Sequence, residues 1–135
     1  MVKELDKGDR RALASWCLYD WANSAFPTVI VTFVFATYFT GSVALDKVTG
    51  TAYWGYTMSL SALAVAILAP LFGAIADNSG RLKPWLGFFT ALCILASCIL
   101  WFVEPDPSFI LLALVTVGLA NFAFETGMVF YNAML

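Results

Sequence analysis

Four long apolar runs dominate the chain: roughly Leu13 to Phe39, Tyr53 to Ala76, Pro84 to Val103 and Phe109 to Leu135. Each meets the requirement of about 20 residues for a helix crossing some 30 Å of hydrocarbon. Lipid offers no partner to a bare backbone N–H or carbonyl, so such runs fold as helices whose hydrogen bonds close within the segment. None shows the short alternating segments of a membrane barrel. With 61% hydrophobic and only 12% charged residues, an ordinary soluble domain is excluded. The expectation is an all-α, polytopic membrane protein. A cytoplasmic segment, residues 1–12, precedes a transmembrane domain, residues 13–135, with helices at about 13–39, 53–76, 84–103 and 109–135. The first run is not a removable signal peptide, because it carries Asp20 and Asn23 and continues well past them.

Orientation follows from the seven basic residues. Lys3, Lys7, Arg10 and Arg11 precede the first span, Arg81 and Lys83 lie between the second and third, and only Lys47 falls in the first hairpin. The positive-inside rule then places the N-terminus and the Arg81 loop in the cytoplasm. Trp85 and Trp101, about 24 Å apart along a helix, bracket the third span as interfacial aromatics do. The fourth run ends at Leu135 with no basic residue or polar tail, so the sequence reads as the N-terminal part of a longer protein, incomplete at its C-terminus. The lack of a targeting segment favours a bacterial cytoplasmic membrane over an organelle.

Two acidic residues stand inside the apolar runs, and a charge in hydrocarbon costs several kcal/mol unless it faces protein or water. Asp20, Asn23, Ser24 and Pro27 share one face of the first span, and Gly118, Asn121, Glu125 and Asn132 share one face of the fourth. Counting from Ala14 and Ile110, Asp20 lies about 9 Å deep and Glu125 about 8 Å from the same edge of a 30 Å core. Two readings stand for Asp20: a cavity-facing carboxylate, or one that snorkels to the headgroups from a ragged helix end. Glu125, flanked by phenylalanine, methionine and valine, must be protonated, paired, or open to a watery cavity, and such intramembrane carboxyls serve proton relays. Asn23, Asn121 and Asn132 read equally as pathway groups or as amides that tie helices together. On the second span Ser59, Ala62, Ala66, Ala69 and Gly73 form a stripe of small residues, expected to pack against another helix, and Pro70 favours a bend. The third span, with Thr90, Cys93, Ser97 and Cys98 as its only polar or reactive groups, reads as peripheral.

The three cysteines, Cys17, Cys93 and Cys98, lie in apolar runs, and there is no histidine, so neither a zinc pattern nor a disulfide framework is expected. No phosphate-binding loop, nucleophile elbow or basic array for nucleic acid is present. The reading is a non-enzyme with no cofactor and no metal. The lipid bilayer is the partner that the apolar runs themselves imply.

One loop has a specific pattern: Gly73-Ala-Ile-Ala-Asp77-Asn-Ser-Gly80-Arg81-Leu-Lys83. Gly80 permits a turn, Arg81 and Lys83 anchor it at the membrane surface, and Asp77 sits at a helix C-terminus, where the macrodipole disfavours a carboxylate. The segment resembles the loop between helices two and three of the major facilitator superfamily, Gly-x-x-x-Asp-x-x-Gly-Arg-x-Lys/Arg. That resemblance implies that Asp77 and Arg81 gate the transporter by latching its N-terminal half to its C-terminal half. The chain departs from the pattern at Asn78 and Leu82, and the family's frequent arginine in helix four would fall at Ala123, ahead of Gly127. Tyr19-Asp-Trp-Ala-Asn-Ser-Ala-Phe26 and Phe130-Tyr-Asn-Ala-Met-Leu135 further resemble the vacuole-effluxer-like branch, related to fungal vacuolar amino-acid exporters. The resemblance implies helices one to four of a major-facilitator-type N-terminal half, with helices one and four lining a central cavity, helix three outside, and a missing C-terminal half as partner. The function then expected is secondary active transport of small, amino-acid-like solutes by alternating access, possible proton coupling included, through Asp20, Asn23, Asn121, Glu125 and Asn132. The alternative is a small four-helix structural or accessory membrane subunit whose acids pair with a partner.

Overall fold

The computed structural model describes residues 6–134; Lys3 and Leu135, used above, lie outside the described residues. Four helices are long and apolar enough to cross a membrane: α1 (Lys7–Val43), α2 (Lys47–Ser79), α3 (Leu82–Phe102) and α4 (Pro107–Ala133). No strand occurs among the described residues. The loops between the helices are so short that each helix runs antiparallel to the next. One end of the bundle therefore holds the start of α1 and Arg81, and the other holds Asp46 and Asp106.

The helices begin where carboxylates cap them. Asp6 accepts from the Lys7 N–H at 2.7 Å. Asp46 accepts from the Thr49 N–H at 2.8 Å and from its hydroxyl at 2.7 Å, and Asp106 accepts from the Ser108 N–H at 2.9 Å ahead of Pro107. Each cap satisfies an orphan N–H of the first turn, so α1 and α2 start before their apolar runs do. Gly80 ends α2 in the left-handed conformation, φ +59°, the turn expected from the loop. Pro70 lies within α2, which stays helical on both sides of it.

Helix α4 is the hub, packing along both α2 and α3. It buries Ala113, Val117, Ala120, Ala123 and Phe130 completely. At the Asp106 end, Phe35, Phe39 and Val43 of α1 pack with Leu100, Val103, Ala113 and Val117. At the Arg81 end, the rings of Phe89 and Trp85 stack on Phe130 at 5.7 and 5.8 Å, with Ala76, Cys93 and Ala123 around them. The opposite surfaces carry exposed Leu18, Trp21, Ile67, Leu111 and Trp101, which suits helices bathed in lipid.

Two expectations change. The small-residue stripe of α2 does not pack closely against the other three helices: Ser59, Ala62 and Ala66 are exposed, Ala69 and Gly73 are half-buried, and a Cβ added at Gly73 would meet nothing within 4 Å. The packed face lies one step round, through Thr57 and Ser61, and the small residue that permits close approach is Gly118 of α4, whose added Cβ would come within 3.1 Å of Thr57 Cγ2. Nor is α3 simply peripheral. It presents one exposed face, Phe88, Ile94 and Leu95, and buries Phe89, Cys93 and Ala96 on the other.

Candidate functional site

The first helix is not one regular element. Pro27 has no N–H to give the carbonyl of Asn23, four residues back, so regular α-helix stops at Asn23. From Phe26 to Phe33 the backbone takes the wider turn in which each N–H reaches five residues back, closed by Val34 N–H to the Val29 carbonyl. Thr28 and Thr32 hydroxyls donate to the carbonyls of Ser24 and Pro27 at 3.0 and 2.9 Å. Such wide turns are uncommon and frequent at functional sites.

Below that segment, α1 meets α3 and α4 through polar and aromatic groups. The Tyr19 and Thr90 hydroxyls share a hydrogen bond of 2.9 Å. Asn23 Nδ2 donates to Met128 Sδ at 3.1 Å, a weak acceptor for a half-buried amide. Tyr131 sits between Trp16 and Tyr19, with ring centroids at 4.7 and 5.1 Å, and Phe26 stacks on Phe124 at 5.2 Å. Between these contacts the three helices form a half-open cavity of about 720 Å³, lined by Tyr19, Asn23 and Phe26 of α1, Thr90, Cys93 and Ser97 of α3, and Ala123, Phe124 and Gly127 of α4, and opening outward past the exposed Ile94, Cys98, Trp101 and Phe102. No charged residue lines it. A small-molecule site of this size is ordinary.

The sequence-selected residues divide into three groups. Asn23 lines the cavity. Asn121 faces the other way and joins α4 to α2, donating to Ser61 Oγ at 3.1 Å while Ser61 donates to the Gly118 carbonyl at 3.2 Å. Asp20, Glu125 and Asn132 are exposed, as are Asp77, Gly80, Arg81 and Lys83. Among the described residues no hydrogen bond joins the two intramembrane carboxylates, and no group of three or more acidic or cysteine residues could hold a metal ion. Sequence reasoning missed Tyr19, Thr90, Met128 and Tyr131. The signal available was the recurrence of tyrosine at the same end of α1 and α4; nothing marked the wide turns except Pro27.

A family model described as vacuole effluxer Atg22-like matches residues 38–135. The chain belongs to this family. An uncharacterized MFS-type transporter of Bacillus subtilis (strain 168), YxiO, is 38% identical to it over 138 residues. That alignment takes in the whole of this chain and 31% of the Bacillus protein, so the chain spans about a third of the relative's length. No solved structure matches. As an Atg22-like protein with four helices able to span a bilayer, the chain is an integral membrane protein, and its family points away from enzymes.

Proposed function

We propose that the chain supplies helices one to four of a secondary transporter that moves small organic, amino-acid-like solutes by alternating access and couples the movement to protons. The observation that carries this reading is Glu125. It sits on α4, the most deeply packed helix, yet its side chain is exposed, a turn away from Asn121 and Met128, which both hold neighbouring helices. In hydrocarbon an exposed carboxylate needs water, a proton or a partner. A pathway formed against further helices offers all three. Asp20 and Asn132 stand exposed in the same way, and Asn23 lines the cavity beside them in sequence. In this reading the N-terminus and the Asp77–Arg81 loop face the cytoplasm of a bacterial cell, and the loop closes against the other half of the transporter.

The test uses the complete transporter in proteoliposomes, with uptake of radiolabelled amino acids under an imposed pH gradient. Glu125→Gln is expected to abolish the gradient-driven component, and Asp20→Asn to lower total uptake. Wild-type rates in both variants would overturn the assignment of the pathway.

A further inference from the structure

We propose that residues 26–33 are a hinge on which the N-terminal half of α1 swings to widen or narrow the cavity between α1, α3 and α4. The two halves of α1 are anchored separately. Above the segment, Phe35, Phe39 and Val43 are buried against Leu100, Val103 and Val117, and the Tyr38 hydroxyl donates to the Val103 carbonyl at 3.0 Å. Below it, the anchors are the Tyr19–Thr90 hydrogen bond, the Asn23–Met128 contact and the Tyr131 ring. Between the anchors none of the eight residues from Phe26 to Phe33 is buried, and Phe33 is 64% exposed.

Pro27 denies this segment the unbroken α-register, and the hydroxyls of Thr28 and Thr32 serve carbonyls that a wide turn binds less well. Passing one wide turn back into α-register shifts the pairing by one residue, so the lower half changes direction relative to the upper half. The docked upper half cannot follow without opening an apolar core, whereas the lower half is held by a few polar and aromatic contacts that break singly. Every α1 residue lining the cavity, Tyr19, Ala22, Asn23 and Phe26, lies at or below the start of the segment. Bending there moves one whole wall of the cavity against the other two.

The inference concerns movement of α1 and is read without transport, so its failure is distinguishable from failure of the proposed function. With Cys17, Cys93 and Cys98 replaced by alanine, spin labels are placed in pairs at exposed positions, Leu18 with Phe88 below the hinge and Thr37 with Leu111 above it. Distances are measured by pulsed electron resonance in lipid nanodiscs. The lower pair is expected to show two populations, the upper pair one, and Pro27→Ala is expected to abolish the second lower population. The Thr28→Ala, Thr32→Ala double variant keeps the proline, and with it any fold that depends on Pro27, and is expected to shift the balance between the two populations. A single narrow distance for the lower pair in the wild-type backbone, equal breadth in both pairs, or no response to either variant would overturn the hinge.

Discussion

Thr126 is fully buried on α4, and among the described residues its hydroxyl has no hydrogen-bond partner. A buried hydroxyl left unpaired keeps its desolvation cost, while an isosteric apolar group avoids it. Thr126→Val is therefore expected to raise resistance to unfolding by about 1 kcal/mol, read as a higher midpoint in sodium dodecyl sulfate titration of the protein in mixed micelles. Gly80 is the contrasting residue. At φ +59° a side chain meets the left-handed penalty whatever space surrounds it, and Gly80→Ala is expected to lower the same midpoint by an amount on the order of 1 kcal/mol. Asn121 shows why polar residues inside a span cannot be assigned from spacing alone. It shares a stripe with Glu125, yet its amide is spent on Ser61 and helix contact, while Glu125 faces outward.

At the scale of elements, the carboxylate caps tie two helices to pH. Hydrogen bonds from the Thr49 N–H and hydroxyl hold the Asp46 carboxyl below its ordinary 3.8, and those from the Ser108 backbone and side chain do the same for Asp106. A carboxyl depressed in the folded protein adds stability above its unfolded value, and that stability is lost as pH falls through the folded value. The first turns of α2 and α4 are thus expected to stay closed at neutral pH and to fray below about pH 4, seen as faster amide exchange at residues 47–50 and 107–110, with Asp46→Ala and Asp106→Ala, which remove the cap, fraying already at pH 7. The same elements show what a sequence can and cannot reveal. The four spans are legible because hydrocarbon leaves a chain no choice but helix, and the Gly80 turn because few residues tolerate its conformation. The packed face of α2 is not legible: spacing identifies the stripe Ser59, Ala62, Ala66, but a neighbour chose the face through Ser61. The wall that α3 gives the cavity is also hidden, since Thr90, Cys93 and Ser97 look like ordinary polar interruptions until Tyr19 is seen against them.

At the scale of the molecule, the bundle holds together through α4, and the fully buried ring of Phe130 joins three helices, touching Phe72 of α2 and Trp85 and Phe89 of α3. Phe130→Ala is expected to cost on the order of 3 kcal/mol and to loosen both neighbours at once, visible as a lower unfolding midpoint and as loss of the anisotropic near-ultraviolet signal of Trp85. Helix α2 occupies the other extreme, with only 6% of its most apolar window buried by the rest of the protein. The apolar part of that helix, residues 53–76, is about 36 Å long, more than the roughly 30 Å of hydrocarbon available to it. It must lean by some 30° or stretch the bilayer around itself, and with so few protein contacts the lipid decides which. Thicker, sterol-like membranes would stand α2 upright and thinner ones would lay it over, so the width of the host membrane sets the angle at which this helix meets whatever polypeptide comes to rest against it.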